Sequence, residues 1–271
     1  MRIGAPVFDK YESGEEWALL HRKYGYRAAY SPINNKNDLQ RKDEFIKAAK
    51  KYDIIIAEVG AWSNPMSPNS EERKTALEHC KNQLFVADEM GSKCCVNIAG
   101  NLGGRWDGHS DKNLTREAFD LIIETTRDII NSVGPKRTFY TLEMMPWMYP
   151  YDEDSYLDLI KAVDCEHFAV HLDIVNTINS PLKYYRTSDI IKSCFAKLGG
   201  YIKSVHVKDI IMSQEMTANL TEIIVGKGNF DHKCLVDEVR ILDENIPMML
   251  EHLATKEEYI EAGDYIKNLI S

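Results

Sequence analysis

The sequence predicts a single (β/α)8 barrel spanning residues 1–271, and three observations lead there. Eight short apolar runs alternate with amphipathic stretches from one end of the chain to the other, the pattern of repeated parallel βα units. The length of 271 residues is close to the roughly 250 typical of that barrel. The turn after the first run, Asp9-Lys-Tyr-Glu-Ser13, lacks the G-x-G-x-x-G that a doubly wound open sheet ordinarily carries there.

Strands are expected at RIGAPVF (2–8), GYRAAYS (25–31), DIIIAEVGA (53–61), KCCVNIA (93–99), TFYTLEMM (138–145), FAVHLDIV (168–175), SVHVKDI (204–210) and PMMLEHL (247–253). Helical patterns lie between them. SGEEWALLHRKY opens on a serine with glutamates in its first turn, which suits a helix N-terminus. SEERKTALEHCKNQLFVADEMG is a long amphipathic helix that Gly91 stops. LTREAFDLIIETTRDIINSVGP starts from a Thr115 cap without the glutamate of a capping box and ends at Gly134-Pro135. SYLDLIKAV, SDIIKSCFAKLGG, DHKCLVDEVRILDE and TKEEYIEAGDYIKNLI complete the series.

Composition narrows the function. With 44% hydrophobic residues the chain can bury a large core. A net charge of −9 argues against a nucleic-acid surface, which needs a basic footprint. No apolar run approaches the roughly 18 residues of a membrane span. The opening residues MRIGAPVFDKYESGEE carry no apolar signal-peptide core, and none of the six cysteines forms a C-x-x-C pair. A cytoplasmic protein with reduced cysteines is therefore expected. The Tyr184-Tyr185 and Trp62 regions, read as exposed, would suit a homodimer.

The segment FAVHLDIVN (168–176) poses the functional question. It reads as a strand, yet Asp173 interrupts it, and a buried aspartate loses hydration worth several kcal/mol unless something compensates. The same intrusion recurs. Glu143 falls late in TFYTLEMM, His206 within SVHVKDI and Glu251 late in PMMLEHL. These are strands five to eight, each toward its C-terminal end, where barrel enzymes place their reacting groups. Neighbouring strands are about 4.8 Å apart, so four inward side chains can converge. Three carboxylates and an imidazole at one point require a cation. Oxygen ligands with one nitrogen favour Mn²⁺, with Mg²⁺, Co²⁺ or Zn²⁺ as other candidates.

Other residues are placed near the mouth. Lys208 shares the parity of His206 and could orient a substrate hydroxyl or carbonyl, or pair with Glu143 or Glu251. His171 lies one layer deeper than Asp173, as a satisfied core histidine or a support for the site. Glu58 and Trp62 are read as following strand three, Trp147 and Tyr149 as following strand five. Such aromatics could wall a sugar ring or merely cover the barrel. Asn97 and Asn101 begin NIAGNLGGRWDG, a long excursion that looks like a lid or substrate loop. Gly226-Lys-Gly-Asn-Phe-Asp231 could cradle a phosphate, but a tight turn capped by Asp231 is the favoured reading.

The quartet Glu143, Asp173, His206 and Glu251, in TLEMMPW, HLDIVN, HVKDI and MLEHL with the GKGNFD turn, resembles the xylose isomerase-like TIM-barrel superfamily. That group includes sugar and sugar-phosphate isomerases and epimerases, inosose dehydratases and endonuclease IV-type DNA repair enzymes. The resemblance implies that the quartet is a single metal site, with the equivalents of Glu143 and Glu251 also transferring protons in ketose 3-epimerases. Several positions depart from the pattern. Asn176 stands where ketose epimerases and repair enzymes carry histidine, and Asn97 where repair enzymes carry a zinc-binding histidine. The arginine that epimerases place after the strand-seven histidine is absent from Ile210-Ile-Met-Ser, where Lys208 could take over part of its work.

The expected activity is that of a metal-dependent sugar or sugar-phosphate isomerase or epimerase, moving a proton beside a carbonyl through a metal-stabilised enediolate. Substrate would be held by Lys208, Glu58, Trp62, Asn97, Asn176 and Trp147. The same site could instead eliminate a β-leaving group from a keto-sugar, inosose or 3-oxo-glycoside. A non-catalytic sugar-binding barrel would have no need of the quartet.

Overall fold

The structure, a computed structural model, describes residues 1–271. Eight parallel strands close a barrel: β1 (Arg2–Gly4), β2 (Ala28–Tyr30), β3 (Ile55–Gly60), β4 (Cys94–Asn97), β5 (Tyr140–Leu142), β6 (Phe168–Leu172), β7 (Ile202–Val207) and β10 (Pro247–Leu250). An antiparallel hairpin, β8 (Asp209–Met212) and β9 (Leu220–Ile223), stands on the C-terminal rim between β7 and β10. The helices are α1 (Gly14–Lys23), α2 (Lys42–Lys51), α3 (Ser70–Met90), α4 (Arg116–Val133), α5 (Glu153–Val163), α6 (Pro181–Tyr184), α7 (Thr187–Leu198), α8 (His232–Leu242) and α9 (Lys256–Ile270). None is long and apolar enough to cross a membrane.

Local chemistry sets most helix ends. Ser13, Asn69 and Thr115 accept N-terminal amides of α1, α3 and α4, while Gly91 and Gly134 take the left-handed conformation that stops α3 and α4. Asp152 with Ser155, and Thr255 with Glu258, form reciprocal caps on α5 and α9.

The apolar core lies almost wholly outside the barrel. One cluster of 61 buried residues joins outward strand residues such as Leu142, Val170 and Val205 to helix residues such as Leu84, Ile129 and Leu159. Inside, Ala28, Ala57 and Met249 form a small separate apolar group, with Tyr30 against them. Gly4 belongs to this narrow floor, because a Cβ there would approach the Ala28 carbonyl to 2.6 Å. The upper interior holds Thr141, His171, Ser204 and Glu58 instead of the branched aliphatics usual in such barrels. Sheet-to-helix packing carries the apolar stabilisation, which leaves the interior to polar groups.

Three features differ from the sequence reading. Helix α2 was not expected: KDEFIKAAKK buries only Phe45, Ala48 and Ala49, too narrow a stripe to stand out among its lysines. The hairpin was also unforeseen. Finally, Tyr184 is buried and only Tyr185 is exposed, so they do not form one exposed patch. All six cysteines are free.

The GKGNFD segment is a turn held by a carboxylate. Buried Asp209 accepts amide hydrogen bonds from Ile210 (2.8 Å), Gly226 (2.9 Å), Gly228 (2.8 Å) and Phe230 (3.1 Å). A Cβ at Gly228 would collide with that carboxylate, and Asp231 caps α8 through Cys234 N–H. These amides serve Asp209, and none of the four is left for a phosphate. Asp209→Ala is expected to lower the unfolding free energy by ~3 kcal/mol or more, because several buried amides lose a charged acceptor. An unchanged urea midpoint would show that the turn closes without it.

Candidate active site

Glu143, Asp173 and Glu251 each stand one residue beyond β5, β6 and β10, while His206 is the penultimate residue of β7, two positions before Lys208. Strand parity turns all four inward, and their ligand atoms all fall within 4.8 Å of one another. His206 Nδ1 lies 2.9 Å from Glu251 Oε2, 3.6 Å from Asp173 Oδ2 and 3.7 Å from Glu143 Oε1. Lys208 Nζ enters the same space, 2.7 Å from Asp173 Oδ2 and 2.9 Å from Glu251 Oε2.

Proximity does not satisfy these atoms. Asp173 Oδ2, His206 Nδ1 and Glu251 Oε2 are buried with no hydrogen-bond partner of acceptable geometry. Three orphaned donor atoms aimed at one point, with Glu143 beside them, form an oxygen-rich set with one nitrogen that suits a divalent cation. The charge balance agrees: four carboxylates, counting Glu58, face one obligatory cation, Lys208.

The partners behind the quartet fix its orientation. Glu58 lies inside β3 and is buried beneath the site rather than on the following loop. Its Oε1 is 3.0 Å from His206 Nε2, and its Oε2 accepts from Ser204 Oγ at 2.9 Å. With the Nε2 proton directed at Glu58, the Nδ1 lone pair of a neutral His206 faces the three carboxylates, the tautomer a metal ligand needs. The His171 ring packs edge-on against His206 at 4.0 Å between centroids. Burial, and then His206, push the His171 pKa down to about 4.

The charged groups differ in proton affinity. Burial disfavours an ionised Glu143 and raises its pKa despite Lys208. Burial opposes ionisation of Glu251 as well, but His206 and Lys208 outweigh it and hold the pKa below the usual range. His206 is raised because Glu251 and Glu58 outweigh its burial. A cation at Nδ1 would take the place of the proton that the ring otherwise binds.

Asn176 connects these groups. Its Nδ2 donates to Glu143 Oε1 at 2.7 Å and its backbone N–H to Asp173 Oδ1 at 3.3 Å, while Oδ1 accepts from Lys208 Nζ at 3.4 Å. Asn97 faces the other way, against expectation. Its Oδ1 accepts from Ser63 N–H and its Nδ2 reaches Cys80 of α3, because its parity on β4 points outward. Asn101 organises its own loop by accepting from Gly103 N–H at 2.7 Å.

Above the quartet opens a cavity of about 930 Å³ whose lining includes Glu143, Asn176 and Glu251 with Trp62, Trp106 and Trp147. Asp173, His206 and Lys208 lie buried just beneath. Trp106, Arg105, His252 and Glu222 also line it but were not singled out from the sequence. The RWDG of the long excursion was a signal for the first two. His252 takes a left-handed φ of 57° immediately after Glu251, a costly conformation for a non-glycine residue, and its Nδ1 is 2.8 Å from Glu222 Oε2.

Fold and site together define a (β/α)8 barrel with a carboxylate-rich cluster at its C-terminal mouth. The model of the xylose isomerase-like TIM barrel family matches residues 20–269, and the chain belongs to that family. No functionally curated protein matches the sequence significantly. Among solved structures, the fold is similar to the probable 3-DHS dehydratase AsbF involved in petrobactin synthesis from Bacillus anthracis (TM-score 0.74, 15% identity, 100% of this chain and 99% of that one). It is similar to 3-keto-D-glucoside 4-epimerase YcjR from E. coli (0.69, 15%, 99% of each). A xylose isomerase-like barrel from Mycobacterium smegmatis, in complex with magnesium, gives 0.66 at 15% identity over 96% and 89% of the two chains. At such identities the likeness is one of fold.

Calorimetric titration of chelator-treated protein with Mn²⁺, Mg²⁺, Co²⁺ and Zn²⁺ tests the donor set. Saturable binding is expected, lost in Asp173→Ala and weakened roughly 10- to 100-fold in Glu58→Gln, where the support behind His206 is altered. Equal affinity in Glu58→Gln would remove Glu58 from any role in orienting the ring.

Proposed function

We propose that the protein is a divalent-metal-dependent isomerase or epimerase of a keto-sugar, transferring a proton at the carbon beside the carbonyl. The observation that carries this reading is the pair of carboxylates, Glu143 and Glu251, on a floor whose buried donor atoms lack hydrogen-bond partners. Glu143, Asp173, His206 and Glu251 would hold the ion, with Mn²⁺ the best match to the donors and Mg²⁺, Co²⁺ or Zn²⁺ the other candidates. When bound, the ion supplies a Lewis acid that polarises a carbonyl oxygen and offsets the negative charge developing as the neighbouring carbon loses its proton.

The chain's own residues do the rest. Glu251, whose Oε2 lies 2.9 Å from Lys208 Nζ, takes the proton as a carboxylate. The same group returns it, or the opposite carboxylate Glu143, whose Oε1 accepts from Asn176 Nδ2, supplies one in its place. Return to the opposite face of the same carbon gives an epimer, and return to the adjacent carbon gives an isomer. Lys208 is placed to stabilise the developing negative charge, provided its contacts with Asp173 and Glu251 loosen.

A second reading is favoured by the room above the floor. If a leaving group lies β to the carbonyl, the electrons freed by deprotonation form a carbon–carbon double bond as that group departs and takes up a proton, so the same carboxylates serve a lyase. A dehydratase and an epimerase both occur among the similar folds.

Incubation of a panel of keto-sugars, inososes and 3-oxo-glycosides in D₂O with Mn²⁺-loaded protein, followed by NMR, separates these outcomes. Deuterium beside the carbonyl with a new isomer or epimer is expected; loss of water or aglycone moves the assignment to the lyase. Glu251→Gln is expected to cut turnover by about 100-fold or more with a smaller loss of metal, whereas His206→Ala loses the metal itself. Undiminished turnover in Glu251→Gln would exclude it as a proton-transfer group.

A further inference from the structure

The chain has four tryptophans. Trp17 is buried, whereas Trp62, Trp106 and Trp147 are 40%, 40% and 37% exposed and all line the cavity above the carboxylates. They come from three successive loops, those after β3, β4 and β5. Scattered exposed aromatics need no explanation, but three lining one cavity give it apolar surface of the kind that marks a binding site.

Two of the rings are visibly fixed. Trp62 lies over Gly60, where a Cβ would come within 2.8 Å of Cδ1, so glycine makes room for the ring. Trp147 Nε1–H donates to the Asp107 carbonyl at 3.0 Å, which ties the fifth-strand loop to the loop carrying Trp106. Fixed aromatic surfaces lose little freedom when a ligand stacks on them.

The charged groups around this wall have partners of their own. Arg105 pairs with Asp107, His252 with Glu222, and Lys208 with Asp173 and Glu251. The glycine-bearing turn spends its amides on Asp209. Nothing here is built for a phosphate. The volume of about 930 Å³ lies near the top of the range for cavities that enclose a drug-sized molecule, so a single sugar ring over the carboxylates leaves the tryptophan side open.

We infer that the substrate is a keto-glycoside with a flat aromatic aglycone, the oxidised sugar over Glu143 and Glu251 and the aglycone against Trp62, Trp106 and Trp147. This rests on the proton-transfer reading of the floor. It also places the protein after a reaction that oxidises a ring hydroxyl of an aryl glycoside, since the carbonyl must be present before the aglycone subsite is used.

The test compares methyl and 4-nitrophenyl 3-oxo-glucosides on Mn²⁺-loaded protein, reading deuterium exchange beside the carbonyl and, separately, quenching of tryptophan fluorescence. The aryl compound is expected to show a KM about tenfold lower, as stacking on aromatic surfaces would give. That preference should fall toward one in Trp106→Ala and Trp62→Ala and be largely kept in Trp106→Phe. Free 4-nitrophenol should quench the wild type saturably, a readout independent of how the variants fold. Exchange with equal KM for the two glucosides overturns the aglycone subsite and leaves the proton-transfer reading standing. Saturable, tryptophan-dependent binding of the aryl compound without exchange supports the subsite and overturns that reading. Neither exchange nor binding overturns both.

Discussion

A carboxylate enclosed in protein loses hydration worth several kcal/mol, and Glu58 recovers it through His206 and Ser204. The same bond directs Nδ1 of His206 toward Glu143, Asp173 and Glu251. One buried contact therefore sets both the protonation pattern beneath the floor and the lone pair presented above it. Replacing Glu58 by a residue without an acceptor would leave the ring free to carry its proton on either nitrogen. A site that depends on a single imidazole among oxygens cannot tolerate that ambiguity.

The distribution of apolar packing makes such a charge-rich interior affordable to the fold. The large cluster that joins strands to helices excludes the barrel axis, where Ala28, Ala57 and Met249 form a separate, small filling. Charges along the axis consequently disturb little of the packing that holds the barrel closed. Their mutual repulsion is instead met locally, by Lys208 and Asn176 among the upper carboxylates and by the histidines around Glu58. Stability and chemistry occupy different layers of the same sheet.

How much of this could be read from the sequence follows from what a linear pattern encodes. Period-two alternation shows which strand residues share a face, so acids at the ends of four apolar runs pointed to convergence at Glu143, Asp173, His206 and Glu251. Alternation fails where the strand boundary is misplaced by a residue or two. Glu58 is read as following strand three and as holding substrate, although it falls within the expected run 53–61 and lies inside β3, beneath the site. Asn97 was drawn to the mouth by its place at a strand end, but the parity of β4 carries it outward to Ser63 and Cys80. The Asp209 clamp was illegible for a different reason. Its partners Gly226, Gly228 and Phe230 follow after an intervening hairpin, and no local periodicity links them.

The tryptophans show the limit from the other side. Residues from separate loops have no shared spacing in the chain, and Trp62 and Trp147 could each be covers for the barrel when considered singly. Placing them around one cavity with Trp106 changes their meaning, because surface exposure that is unremarkable for one ring is not so when three line the same opening. The floor and the wall then constrain a ligand in complementary ways. In the proposed reading the floor takes a group that can lose a proton beside a carbonyl. The tryptophans offer an apolar face to whatever lies above it. Chemistry is thus set by side chains whose positions the strands dictate, while selectivity is left to loops whose aromatic residues can change without moving a single carboxylate.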